Sequence, residues 1–582
     1  MKKEILLAAL LVIGNCVAEA IPVKPGMKKT LTLSDGTTVV CERMGDEYLN
    51  WWQADDGTAY QLGEDNLYVA ADLTALQDLA VPKRIADHDR RADRLSKARK
   101  AATIGGDHIT YTGTKKGLII LVNFSDKSFA TGHTANFYNK MANNIGNLTL
   151  YGFVGSIKDY FLSQSNDQFE VDFDIAGPVT VSQTYAYYGG NDSSGSDKRP
   201  GEMVYEALQL VDDDIDFSDY DWDGDGEVEQ VVVLYAGPGE ASGGDEDTIW
   251  PHESSLSNMV GKTLTLDGVT INTYACCNEI EYADSYYTVE RVAGIGTICH
   301  EFSHCLGLAD MYDILYSGYY GMSYWSIMDS GAYNGDSYCP ANYTSFERIY
   351  CGWVEPIELS TATSVLNFPA WDSYPQPFII YNSGNSDEYY LLENRQYEGW
   401  DESLYGAGML ILHVDFDETV WSYNYVNANA NYSNLYNDHQ RCTIFPADNN
   451  TTVSLAGLAG DPYPGTSGNA SLTDSSTPAS TLYNANASGT YYMSKPITSI
   501  TQNDDGTIAF DFMGGSTTNL LYNAIESLVA ESATNPDALV SVYDVAGRLV
   551  HTARAGQFSL NAVPASGVLI VKCGDSISKI LK

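Results

Sequence analysis

Apolar positions change their spacing several times along the chain. From Thr30 to Val40 apolar and polar residues alternate around Asp35-Gly36, which predicts strand, turn and strand, and Asp56-Gly57 marks a second turn. A basic, helix-prone stretch follows, with Lys83, Arg84, Arg90, Arg91, Arg94, Lys97, Arg99 and Lys100, and Gly105-Gly106 closes it. Gly117 to Phe124 (GLIILVNF) is apolar without alternation, the mark of a buried strand. Phe137 to Met141 and the stretch from Ile157 to Ser163 carry helical spacing, while Pro178 to Val181 and Gln230 to Ala236 read as further strands. Strands alternating with helices predict an α/β layered unit. Past about residue 357 the texture turns to short strands between Gly, Asn and Asp clusters: YYLLENRQ from 389, GMLILHVDF from 408 and IAFDF from 508. That pattern predicts a β-sandwich. A last small β unit spans 517–582, with strands near 540, 557, 567 and 577 and a turn at Gly547.

One helical stretch carries chemistry. It reads His300-Glu301-Phe302-Ser303-His304-Cys305-Leu306-Gly307-Leu308-Ala309-Asp310, after the small apolar run from Val292 to Ile298. Histidines four apart stand one above the other on a helix, so both imidazoles can bind one ion. Glu301 lies about 100° round the helix from His300. It can flank the metal without binding it and accept a proton from water there. Gly307 can take a left-handed conformation and stop the helix, after which Asp310 can swing back as third ligand. Two neutral nitrogens and a carboxylate oxygen suit zinc and leave a fourth position for water. Asp313 and Glu347 are the reserve third ligands.

Composition sets the compartment and the partners. Hydrophobic residues make up 44% of the 582, enough for several cores. A net charge of −44 argues against nucleic acid as a partner and for calcium. Residues 1–20 have the form of a secretory signal: Lys2 and Lys3, an apolar run from Ile5 to Val12, and a small-residue cleavage site at Ala18-Glu19-Ala20. No later stretch approaches the ~20 apolar residues of a transmembrane helix. Export permits disulfides among the ten cysteines, though Cys299 and Cys305 beside the histidines read as small buried core residues. A second candidate metal site lies at Asp221-Trp222-Asp223-Gly224-Asp225-Gly226, alternate aspartates closed by glycine as in a calcium loop. Position 12 of such a loop is Val232, so Glu229 or Asp219 must stand in for the usual glutamate; a polar turn capping the next strand is the alternative.

These motifs together resemble the immune inhibitor A family of secreted metallopeptidases, which are metzincin-like. The resemblance covers roughly 117–515 and rests on LIILVNFSD at 118, GSIKDYF at 155, DWDGDGEVEQ at 221, IWPH at 249, HEFSHCLGLADMYD at 300, WSIMDSGAYNG at 325 and CGWVEP at 351. It implies an endopeptidase with catalytic zinc and structural calcium. It carries His300, His304 and Asp310 onto the zinc ligands, Glu301 onto the general base, and Met328 onto the methionine turn beneath the metal. Tyr333 is a candidate to steady the oxyanion. Aspartates Asp221, Asp223 and Asp225, with Glu229, are the calcium candidates.

The expected organisation is a signal peptide at 1–20, a pro-segment at 21–112, a catalytic domain at 113–356, a β-sandwich at 357–516 and a terminal β-domain at 517–582. Cys41 or an aspartate of the pro-segment could occupy the open zinc position and keep the enzyme latent. The basic stretch would be its cleavable linker, or else a solvated helix joining two domains. The last unit resembles the C-terminal sorting domain of proteins exported by the type IX system, which implies export machinery as a partner beside protein or peptide substrates. The expected function is therefore a secreted zinc endopeptidase made as a zymogen. The alternative is a surface adhesin on an inactive protease fold, which the intact Glu301 argues against. His413 lies in an apolar strand and reads as a hydrogen-bonded structural residue rather than a ligand.

Overall fold

A computed structural model describes residues 18–19, 21–63, 65–97, 101–103, 106–108, 111–192, 195–283, 289–432, 435–452, 454–515, 538–544, 548–555, 563, 568–573 and 576–581. Its central sheet runs Ala18–Glu19, His252–Ser255, Thr273–Tyr282, Val231–Pro238, Gly113–Asn123 and Phe169–Thr180, with Glu290–Val292 also paired to Thr273–Tyr282. The last four of the six are mutually parallel; His252–Ser255 and Ala18–Glu19 are antiparallel additions at one edge. The unbroken run at 118–122 has a simple cause. Leu118, Ile120 and Val122 enter the core on one face of the sheet, and Ile119 and Leu121 enter the core on the other. A strand covered on both faces needs an apolar residue at every position. Helices Ala135–Asn143 and Ile157–Gln164 make the crossover that parallel pairing of Gly113–Asn123 with Phe169–Thr180 requires. Thr134 caps the first, and Ser156 and Asp159 form a reciprocal capping box on the second. The stretch expected as a strand at 178–181 is mostly the end of the longer Phe169–Thr180.

The leading segment builds a five-stranded antiparallel meander from Lys28–Thr32 to Tyr68–Ala70, followed by the helix Leu73–Lys97. Its first two predicted turns are present, with Gly36 and Gly57 at φ of +83° and +85°. The basic helix is not a plainly solvated one, because Arg84 and Arg91 are buried. Arg84 grips both carboxylate oxygens of Asp46, at 2.8 and 2.6 Å. Arg99, Lys100 and Gly105 lie outside the described residues.

Beyond 357, a five-stranded sheet (Ile357–Glu358, Phe378–Tyr381, Glu388–Arg395, Gly408–Asp415, Cys442–Ile444) packs on a three-stranded one (Thr363–Phe368, Ile508–Phe512, Ile497–Gln502). The two share a core that includes Phe368, Phe378, Ile411 and Phe510. The opposite face of the larger sheet, with Leu391, Leu410 and Leu412, joins the same hydrophobic core as Ile119, Phe302 and Met328. His413 Nε2 bonds Glu388 Oε1 at 2.8 Å. The last sheet orders Leu549–Arg554, Leu539–Asp544, Val568–Cys573 and Ser576–Leu581. The strand expected near 557 and the turn at Gly547 lie outside the described residues. The described cysteines, Cys299 and Cys305 among them, are buried. No described helix is long and apolar enough to cross a membrane.

Candidate metal centre

The helix Gly296–Cys305 starts where only small residues fit. A Cβ on Gly296 would meet the Ala332 carbonyl oxygen at 1.9 Å, and one on Gly294 would meet that of Ser337 at 2.2 Å. The helix therefore lies directly against the segment 330–337. It stops at Gly307, which adopts φ of +95° while Leu308 N–H bonds back to Ser303 O at 3.3 Å. The turn brings Asp310 under the two histidines. Every residue from Gly296 to Asp310 is buried.

Three candidate ligand atoms converge. His300 Nε2 and His304 Nε2 are 3.3 Å apart, and Asp310 Oδ1 is 3.4 and 3.5 Å from them. The edges of a tetrahedron with bonds of about 2.0–2.1 Å are roughly 3.3–3.4 Å long. The protons also point to a cation. His300 Nδ1 bonds the Ile327 carbonyl at 2.7 Å, and His304 Nδ1 bonds the Leu308 carbonyl at 3.0 Å. A carbonyl only accepts, so each Nδ1 carries the hydrogen and each neutral ring turns an Nε2 lone pair inward. Burial pushes the His300 imidazole down, toward the neutral form. Burial works against the ionised form of Asp310, so positive charge must stand beside it for the carboxyl to stay below its ordinary range. Two lone pairs and a carboxylate oxygen without a hydrogen-bond partner thus face one point, an arrangement that a zinc ion relieves.

Glu301 stands beside this centre. Burial pushes its carboxyl well above the usual range, against the opposing effects of His304 and the Ile21 N–H. Oε2 is buried without a partner, and Oε1 accepts the Ile21 N–H at 2.9 Å. The stretch around Ile21 lies over the site. Trp250 Nε1 donates to Ile21 O at 3.0 Å, and the Tyr333 hydroxyl donates to Pro22 O at 2.7 Å. The backbone of Ala18–Glu19 pairs with the edge strand at Glu253 and Ser254. Cys41, expected as a possible latency ligand, instead packs in the core of the leading meander with Leu31 and Trp52.

The remaining candidates fall as follows. Ile327 O holds His300, and Met328 O accepts the Met311 N–H at 2.8 Å, so the methionine turn is tied to both sides of the centre. Met328 itself is fully buried. The reserve ligands are engaged elsewhere. Asp313 accepts from Leu315, Ser317, Gly318 and Tyr319, and Glu347 closes the capping box of Ser345–Tyr350 and binds Ser326. Asp221, Asp223 and Asp225 do come together, half-buried to exposed, with their oxygens capping the loop's own amides. Glu229 is turned to the Trp222 N–H at 2.7 Å, and burial raises its carboxyl to about 8. No motif or spacing along the chain points to Asn424, which bonds Asp310 twice, or to Ile21 as the group on Glu301.

Comparison with known proteins places residues 108–353 on the model of the immune inhibitor A peptidase M6 catalytic domain. The pre-pro-metalloprotease PrtV of Vibrio cholerae serotype O1 is 32% identical over 258 residues, which cover 38% of this chain and 28% of that protein. Immune inhibitor A of Bacillus thuringiensis subsp. alesti is 28% identical over 237 residues, 35% of this chain and 34% of its own. A putative secreted metallopeptidase of Arthroderma benhamiae is 25% identical over 203 residues, 31% of this chain and 29% of that one. The chain thus spans about a third or less of the length of these relatives.

Proposed function

We propose that a chain carrying a peptidase M6 catalytic domain in residues 108–353 is a secreted zinc endopeptidase, made as a zymogen. The observation that carries this is the convergence of His300, His304 and Asp310 beside the unpartnered Glu301 Oε2. Zinc held by those three side chains would lower the pKa of water toward ~7 and polarise the scissile carbonyl. Glu301 takes the proton of the attacking water and returns it to the leaving amine. A substrate strand adds to the open edge of His252–Ser255, where Ala18–Glu19 now pairs. The Tyr333 hydroxyl already donates to a peptide carbonyl, that of Pro22, so in the open site it can donate to the substrate's carbonyl oxygen.

Latency follows from the same contacts. Ile21 and Pro22 occupy Glu301, Trp250 and Tyr333 at once, and the leading segment must leave before a substrate enters. Signal cleavage after Ala20 would convert the Ile21 amide into an α-ammonium against the same carboxylate. We keep the metzincin-like assignment, the divisions at 112, 356 and 516, and the sorting role of 517–582 as parts of this reading.

Glu301→Gln should retain zinc and lose activity by at least about a thousandfold, since an amide is no base. Activity near wild type in protein free of other proteases would sink the mechanism. We assign calcium to Asp221, Asp223 and Asp225, with Glu229 turning in once an ion is present. Calcium withdrawal should lower the melting temperature and speed limited proteolysis near 221–229. An unchanged melting curve with no calcium in a metal assay would leave a plain turn.

A further inference from the structure

The histidines stand on a helix, but Asp310 follows Gly307 in a segment with no regular structure. What fixes it comes from beyond the matched catalytic segment. Asp310 N–H donates to Asn424 Oδ1 at 2.6 Å, and Asn424 Nδ2 donates to Asp310 Oδ2 at 2.7 Å. An amide side chain offers a donor and an acceptor together, which this reciprocal pair requires. With Oδ2 held, Oδ1 is left facing the two imidazoles without a hydrogen bond.

Asn424 is itself built in. It is 2% exposed, and its backbone sits at φ of +57°, which asparagine tolerates better than most residues. Its N–H bonds Trp421 O at 3.1 Å, at the end of the helix Glu418–Ser422, whose start Asp417 caps. The buried guanidinium of Arg91 joins the same two backbones, Gly307 O at 2.6 Å and Trp421 O at 3.2 Å. The loop carrying Asp310 and the end of that helix, just before Asn424, are therefore adjacent by more than one contact while the leading segment is in place.

We propose that Asn424 is a positioning residue for the zinc ligand Asp310, so that the region beyond 356 completes the metal centre. The inference rests on the peptidase reading above. Asn424 does not touch the metal; it restricts the Asp310 carboxylate to the rotamer that presents Oδ1. Partners of this kind typically contribute ten- to a hundredfold to metal affinity.

The test uses the full chain. Asn424→Gly removes the side chain without straining the left-handed backbone. Asn424→Asp keeps its shape and the acceptor for Asp310 N–H but sets a carboxylate oxygen against Oδ2. Asn427→Ala is the control: Asn427 is equally buried and donates to Met311 O and Cys442 O, without touching Asp310. Zinc affinity is read by chelator competition, and the visible spectrum of the cobalt-substituted protein reads the ligand geometry. Both Asn424 variants should bind zinc about ten- to a hundredfold more weakly and shift the cobalt bands. Asn427→Ala should lower the melting temperature and leave the bands in place. Should Asn424→Gly fail to fold, the isosteric Asn424→Asp carries the test alone. Zinc affinity within twofold of wild type and an unchanged spectrum in a folded Asn424 variant would overturn the proposal, as would equal spectral shifts in the Asn427 control. A wild-type chain that binds no zinc fails earlier, overturning the peptidase reading and this inference with it.

Discussion

Two regions outside the matched catalytic segment reach the metal centre, and they do so by opposite means. Residues 21–97 arrive through backbone and charge. Ile21 N–H lies on Glu301, Pro22 O on Tyr333, Arg43 on Glu240, Lys83 on Asp192 and Lys24 on Glu281. Among the described residues of this region, Ile21 and Val23 enter the main core; most of its other buried apolar residues form two small cores of their own, and Tyr316 of the catalytic segment packs against one of them. Residues 357–512 arrive through apolar surface. A whole face of the larger sheet lies in the main core, and Asn424 and Arg395 add bonds to Asp310 and to Trp325 O. Charged groups recover hydration when they separate, whereas exposing apolar area costs about 25 cal/mol for each Å². On the zymogen reading proposed above, the first region is the one that leaves and the second the one that stays.

Cutting each region away gives the widest contrast. Ending the chain after 356 bares one face of the core and removes Asn424, and activity on a fluorogenic peptide should fall by more than about a thousandfold, with aggregation. Ending it after 516 should leave catalysis unchanged while stopping export in the native host. Proteolytic separation of 21–97 should instead raise activity by about a hundredfold, because the cover then loses its intramolecular effective concentration. A soluble, active chain ending at 356 would erase the contrast.

A smaller effect is expected from Arg43→Met. The substitution strands the buried Glu240 carboxylate, which otherwise bonds Arg43 and Asn191. Losing one partner of a buried pair costs about 3–5 kcal/mol. That cost falls on the closed form, so the uncleaved protein should leak activity and its leading meander should be digested faster. Identical proteolysis and latency in wild type and variant would mean that the ion pair does not hold the cover.

The smallest expected effect concerns the first residue after signal cleavage. A chain beginning at Ile21 places a charged amine on Glu301; one carrying two extra residues before Ile21 places a neutral amide there. A charge-assisted bond is worth roughly one kcal/mol more, so the extended chain should leak about fivefold more activity before activation. Equal leakage would show that the Trp250 and Tyr333 bonds, rather than the Ile21 nitrogen, carry the latency.

The sequence by itself determined what is local. Histidines four apart, the glycine that reverses the chain and the small residues before the helix are consequences of helix geometry and steric contact, so spacing alone placed His300, His304, Glu301 and Asp310 together. The apolar run at 118–122 announced a doubly covered strand for the same reason. Tertiary structure alone decided the rest. Asp313 and Glu347 stay in reserve behind Asp310 in one dimension, and their other hydrogen bonds engage them elsewhere. Cys41 looked like a latency ligand until the meander enclosed it. Ile21 meets Glu301 across 280 positions and Asn424 meets Asp310 across 114. A backbone N–H is present in every residue but proline, and a lone asparagine has no period, so neither contact leaves a pattern along the chain. The change of texture near 357 was legible as short strands, yet the face that merges with the catalytic core was not. Alternation records that a strand has two faces, and only packing decides what each face meets.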